Sequence, residues 1–147
     1  MKDKIFCNDF LMMRINHDVM SIDNLANMLN MTTETLQGKL EDYEYLDLDD
    51  INDILNVLNV SSKEECCLLF FFHAEESKKA HFNLYKAIVE NNINIVTVAS
   101  EIGGTKATLV GKIAGRSEFR WSEVICIKEK FFPNYTLENL FERGVAV

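Results

Sequence analysis

The sequence predicts an all-α protein built as two tandem five-helix units, 1–73 and 74–147, joined by a stiff helical connector. Three observations carry this. Apolar residues recur at helical spacing, and strand-like alternation is scarce. Helix-capping residues stand where the apolar stripes begin. Above all, sliding the 147-residue chain by 73 positions superposes it on itself without gaps. Leu11 falls on Leu84, Ile15 on Ile88, Ile22 on Ile95 and Ala26 on Ala99. Thr32, Thr35, Leu36, Gly38 and Lys39 fall on Thr105, Thr108, Leu109, Gly111 and Lys112. Leu25/Val98, Leu29/Ile102, Leu40/Ile113 and Ile51/Val124 keep apolar character.

The elements follow in order. Leu11 and Ile15 lie one turn apart on a first helix. Ser21 caps a second, whose inner side is Leu25, Ala26 and Leu29. The turn Asn30-Met31-Thr32 leads to a third, with Leu36 and Leu40 inward. Asp49 opens a fourth, with Ile51, Ile54, Leu55 and Leu58 inward. Ser61-x-x-Glu64 and Ser62-x-x-Glu65 both have the form of a capping box for a fifth. The second unit repeats the plan: a helix near 80–91, Asn94 as cap, a helix to Ile102, the turn Gly103-Gly104-Thr105 and a helix to about Ala114. Ser122 caps its fourth helix, which Pro133 stops near Phe132, and Thr136 starts a short last helix through Leu140 and Phe141. The β-branched stretch Ile93 to Val98 resembles a strand, but its copy, Met20 to Leu25, does not, so it is placed at a helix start.

No Gly or Pro stands between Gly38 and Gly103. The connector, His73 to Lys79, is made of good helix formers, and the fifth helix is expected to run into the sixth. Leu68 to Phe72 is apolar on every side of a helix, so Phe70, Phe71 and Phe72 are expected to be buried between units or in a homodimer interface. Phe119 and Trp121 are expected to pack the fourth helix of their unit.

Composition narrows the function classes. Hydrophobic residues make up 48% and charged residues 26%, as in globular proteins. No apolar run approaches the roughly 20 residues of a membrane span. The N-terminus, Met1-Lys2-Asp3-Lys4 leading into Asn8-Asp9, lacks the apolar stretch of a secretory signal, so a cytoplasmic protein with no membrane partner is expected. Cys7, Cys66, Cys67 and Cys126 form no C-x-x-C pair, and His17, His73 and His81 are scattered, so neither a disulfide framework nor a metal site is expected. Gly103-Gly104-Thr105-Lys106 lacks the spacing of a phosphate loop and no strand precedes it. No nucleophile–base pair or cofactor loop emerges, and an enzyme is not expected.

Charge divides the halves. Residues 1–73 hold five basic and fourteen acidic residues, a net −9; residues 74–147 hold ten and nine, a net +1. The first half should repel phosphate, and the second can tolerate it.

A helix, a two- or three-residue turn and a helix, packed by three others, resembles the lambda-repressor-like (Cro-type) helix-turn-helix family. Val98-Ala99, Ile102-Gly103, Thr105 and Thr108-Leu109 are similar to its consensus. Lys112-Ile113-Ala114-Gly115-Arg116 followed by Phe119 resembles the phage-type ending of the recognition helix. The first unit is a degenerate copy, with Asn30 at the turn glycine and Asp42 at the Gly115 position. The resemblance implies duplex DNA binding, usually as a dimer, with the third helix in the major groove. It places Thr105, Lys106, Ala107, Val110 and Gly111 on or near the groove side and gives Arg116 and Arg120 to phosphates. In the first unit the matching segment carries Lys39 against Glu34, Glu41, Asp42 and Glu44. Where the family commonly has a DNA-touching glutamine, this chain has Ile22 and Ile95. Either the helix is shifted and both are core, or this face meets protein.

Two functions follow as expectations. One is a phage- or mobile-element-type transcriptional regulator, dimeric, with DNA contacts from the second unit. The other is a protein-binding module that kept the fold and lost DNA binding, as in phage-encoded inhibitors such as anti-CRISPR proteins. Its acidic surface, Glu41, Asp42 and Glu44 included, would face the basic channel of a nucleic-acid-binding enzyme.

Overall fold

In a computed structural model the described residues are 8–41, 46–60, 63–70, 72 and 78–144. They are all-α, with no strand among them. The chain divides into two compact units, Met1–Ala74 and Glu75–Val147. In the first, α1 spans Asp9–Asp18, α2 Ile22–Met28, α3 Thr33–Glu41, α4 Leu48–Val57 and α5 Lys63–Phe70. In the second, α6 spans Phe82–Glu90, α7 Ile95–Glu101, α8 Lys106–Ile113, α9 Trp121–Phe131 and α10 Leu137–Leu140.

The 73-residue offset reappears as geometry. α2 and α7 have identical lengths at equivalent positions. Both begin on a polar cap: Ser21 Oγ accepts from the Asn24 N–H at 3.2 Å, and Asn94 Oδ1 from the Val96 N–H at 2.9 Å. Thr32 and Thr105 cap α3 and α8 alike, each hydroxyl accepting at 3.2 Å from the amide three residues on. The cores correspond as well. Leu11 and Leu84, Leu25 and Val98, Leu36 and Leu109, and Ile54 and Ile127 are all buried.

The corners between α2 and α3 and between α7 and α8 are built the same way. Met31 N–H reaches Ala26 O and Asn30 N–H reaches Asn27 O; Gly104 N–H reaches Ala99 O and Gly103 N–H reaches Ser100 O. This pairing ends a helix through one residue in the left-handed region. Gly103 takes it at φ 74° and Asn30 at φ 63°. Asn30 therefore serves in place of the expected glycine, as asparagine tolerates this region better than other side-chain-bearing residues.

Several boundaries differ from the sequence expectation. α4 opens at Leu48 with Asp47 as its cap, because Asp47 and Asp50 exchange side-chain-to-backbone bonds at 2.8 and 3.3 Å; Asp49 lies inside the helix. α9 opens at Trp121, because the Glu123 carboxylate accepts the Arg120 N–H at 2.8 Å, and Ser122 is not the cap. The two serine capping boxes start at Ser61 and Ser62, outside the described residues. So does most of the connector, 73–77. On either side of it, Phe72 and residues 78–81 are not α-helical, so no continuous helix runs from α5 into α6. Backbone contacts of the second unit redirect the chain there. The His81 N–H bonds Ile113 O at 2.8 Å, and Ala80 O accepts from Gly144 N–H at 2.9 Å.

Phe70 and Phe72 are buried, and the Phe72 ring meets Phe10 of α1 edge-on at 5.2 Å. They belong to the core and present no docking surface; Phe71 lies outside the described residues. Trp121 is 68% exposed, against the expectation that it packs. It stands at the first position of α9, one turn before the partly covered Val124. The Phe119 ring meets His81 and Phe141 edge-on at 5.2 and 5.3 Å.

Candidate nucleic-acid interface

The corner at Gly103 and the loop from α8 to α9 bring most of the expected second-unit residues together. Ala107 and Thr108 are exposed and Gly111 half-buried along one side of α8. A Cβ on Gly111 would meet nothing closer than Ser117 Oγ at 4.0 Å, so backbone is accessible there. Lys106 stands half-buried at the first turn of α8.

The loop carries the cations. α8 ends through Gly115 at φ 84°, with Arg116 N–H on Gly111 O and Gly115 N–H on Lys112 O. This turn sets Arg116 just past the helix end, and Arg116 and Arg120 are both exposed. Arg120 also lines a cleft of about 460 Å³ with the turn Ile102–Thr105 and Thr108. In the same cleft Lys112 Nζ lies 2.6 Å from both Glu123 oxygens. Its charge is already matched, and it ties α8 to α9. Lys39 and Asp50 do the same for α3 and α4 at 2.7 Å. This brace was missed in the sequence, although both its members recur at the 73-residue offset.

Two expected groove residues are placed differently. Val110 is only 3% exposed and belongs to the core, because α8 packs against both α6 and α7 and its inner stripe is wide. Thr105 is exposed, but its hydroxyl is engaged by the Thr108 N–H and lies 3.0 Å from the Thr108 hydroxyl. Ile95 is buried and Ile22 half-buried, so α7 uses its isoleucine in the core.

The same surface of the first unit is acidic. Glu34, Glu41, Asp47, Asp49 and Asp53 are exposed; Asp42 and Glu44 lie outside the described residues. Equivalent places are acidic only in the first unit: Glu34 matches the neutral Ala107, Asp49 the neutral Ser122, and Asp47 the basic Arg120.

Titration marks the supports of this surface. The Lys39 ammonium bonded to Asp50 holds that carboxyl below its ordinary value. Burial pushes the Glu123 carboxyl up, but bonds from Lys112 and the Arg120 N–H outweigh it and leave it lowered. Burial, with Arg143 nearby, lowers the His81 imidazole. A lowered folded pKa gives stability that is present above the unfolded value and lost as pH falls through the folded one. The second unit should therefore soften in two stages on acidification. The first lies below the ordinary histidine value of 6.5 and the second below the ordinary glutamate value of 4.5. His81→Phe should remove the first stage in a thermal-melt series against pH. An unchanged first stage would assign it elsewhere.

Among the described residues no group of three His, Cys, Asp or Glu is placed to hold a metal ion, and no helix is long and apolar enough to cross a membrane. Compared with known proteins, the chain matches no family model, no curated protein and no solved structure.

Proposed function

We propose that this chain is a duplex-DNA-binding transcriptional regulator of lambda-repressor-like helix-turn-helix type, of phage or mobile-element kind, whose second unit makes the DNA contacts. One observation carries the reading. The outer side of α8 is small (Ala107, Thr108, Gly111), and the cations Lys106, Arg116 and Arg120 stand at its two ends. A small helix side lets backbone and side chains approach base edges, while cations at the ends hold phosphates and fix the register. The first unit, with carboxylates at matched positions, stays off the duplex and has an architectural role.

The test is fluorescence anisotropy on a mixed-sequence duplex at low salt. Lys106→Glu and Arg116→Glu should each weaken binding by roughly 10- to 100-fold. Glu34→Lys in the first unit should not weaken it. Gly111→Ala should stabilise α8 by about 0.5–1 kcal/mol, because alanine orders a helix better than glycine, yet reduce affinity by covering the approach to the backbone. Equal affinity for Lys106→Glu and the parent protein would remove α8 from the groove.

A second reading draws on the first unit. Exposed Glu34, Asp47, Asp49 and Asp53 form an acidic surface suited to the basic channel of a nucleic-acid-binding protein, as in an anti-CRISPR-like inhibitor. Recovery of a basic nuclease on the immobilised chain, with no duplex shifted at any salt, would favour it over the first.

A further inference from the structure

His81 joins three stretches of the second unit that are far apart in sequence. Its ring stands edge-on to Phe119 of the α8–α9 loop at 5.2 Å and to Phe141, just past α10, at 5.9 Å; those two rings meet each other at 5.3 Å. The imidazole Nδ1 lies 3.1 Å from Phe141 O, so that nitrogen carries the proton and donates. Gly144 N–H on Ala80 O at 2.9 Å and Asn83 Nδ2 on Asn139 O at 2.9 Å fasten the same end of the chain on either side of the ring. His81 itself is only 4% exposed.

The repeat shows that this place can be built without a histidine. At the 73-residue offset Asn8 stands for His81, Leu46 for Phe119 and Leu68 for Phe141. Asn8 also reaches across its unit, its Nδ2 donating to Leu40 O at 3.0 Å, and Leu68 is buried. The first unit thus fills the position with a side chain that takes up no proton, and the second with one that does so in mild acid.

We infer that His81 is a proton-operated latch: neutral, it holds the α8–α9 loop and the chain past α10 together, and protonated it lets both go. A second proton would put a charge in a buried place against two phenyl rings, beside Arg143. It would also stand at the start of α6, where the helix dipole opposes a cation. The other charged groups of the joined stretches do not offset it. Lys78 and Lys79 precede the ring, and Lys112 lies 5.9 Å from the centre of the Phe119 ring. Of the carboxylates, Glu118 pairs with Arg143 at 3.8 Å and Glu142 lies 3.5 Å from Asn83 Nδ2. Among the described residues no carboxylate is bonded to the imidazole. The opening is local and precedes unfolding, and it is the first of the two acid stages described above. One consequence rests on the duplex reading: the loop carries Arg116 and Arg120, so duplex affinity falls as His81 takes up its proton, against the rise that a more positive chain would otherwise give.

The experiment is an NMR titration of the full chain from neutral pH into mild acid, on the parent and on His81→Asn, which copies the first unit. In the parent, the backbone amides of Phe119, Phe141 and Gly144 should shift with one midpoint, shared with the His81 ring and below 6.5. The amides of α7 and of Asn8 should not follow it. His81→Asn should lose that transition and keep its helical circular dichroism. Phe119→Leu should raise the midpoint, because a less tightly covered imidazole accepts its proton sooner. A His81 ring that titrates while those three amides stay still overturns the latch, as does a transition that His81→Asn retains. Anisotropy of a labelled duplex separates the two ideas. About one pH unit below the midpoint the parent should bind at least about threefold more weakly than at neutral pH, and His81→Asn no more weakly. A parent that binds duplex equally at both pH values overturns the link from latch to loop. A duplex that neither protein binds at neutral pH overturns the duplex reading, and the titration still decides the latch.

Discussion

Replacing Gly115 by alanine should destabilise the second unit by about 3 kcal/mol or more and leave the first unit unchanged. Two costs add. Gly115 sits at φ 84°, where a Cβ clashes with the chain's own carbonyl at about 1–2 kcal/mol. The new Cβ would also lie 2.5 Å from Lys79 O and 2.7 Å from Lys79 C, and both are backbone atoms that cannot swing aside. The strand of chain held against this turn is the one whose His81 N–H bonds Ile113 O, so relief of the clash would cost that bond. For a unit of this size the melting temperature should fall by roughly 12–24 °C. Native-state hydrogen exchange should show the loss in α6 and not in α1. Gly38→Ala is the matched control: Gly38 lies within α3 with nothing within 4 Å of a new Cβ, so alanine should raise stability by about 0.5–1 kcal/mol.

The largest effect expected in the first unit is at Arg14. Its Nη1 donates to Glu65 Oε2 at 2.8 Å, its Nη2 to Leu58 O at 3.1 Å and its Nε to Asp18 Oδ2 at 2.9 Å. One side chain thus fastens α1 to α5 and to the end of α4. The Glu65 side chain is only 9% exposed. Arg14→Ala would strand its carboxylate away from water with its guanidinium partner gone, and removing one member of such a pair costs about 3–5 kcal/mol. Arg14→Lys should recover only part, because an ammonium cannot serve three acceptors in the planar fork that arginine offers. Chemical denaturation should show the loss in the first unit. A change below about 1 kcal/mol for Arg14→Ala would mean that water reaches Glu65.

Much of the fold was legible because one apolar pattern is written twice. A residue such as Leu36 is ambiguous alone, but paired with Leu109 at the same offset it fixes a helix and its inward side. Caps with a local partner, such as Ser21, Asn94 and Thr136, were legible for the same reason: the acceptor and its amide lie within three residues. Harder were features that depend on what packs behind them. The resemblance puts Val110 on or near the groove side, but with both α6 and α7 behind α8 the helix buries it. Trp121 is expected to pack but, as the first residue of α9, is exposed. Arg14 and Glu65 lie 51 positions apart, with no spacing rule to join them. Lys112 and Glu123 could have been joined, since Lys39 and Asp50 repeat them at the same separation of 11.

The salt dependence of duplex binding tests most directly whether the second unit is a DNA-binding face. With Lys106, Arg116 and Arg120 on phosphates, the logarithm of the association constant should fall with the logarithm of salt at a slope of about −2.7 per bound chain. Arg120→Gln should shallow that slope by about 0.9. Duplex binding that is absent at the lowest salt, or a slope that the Arg120→Gln change leaves where it was, would contradict the assignment.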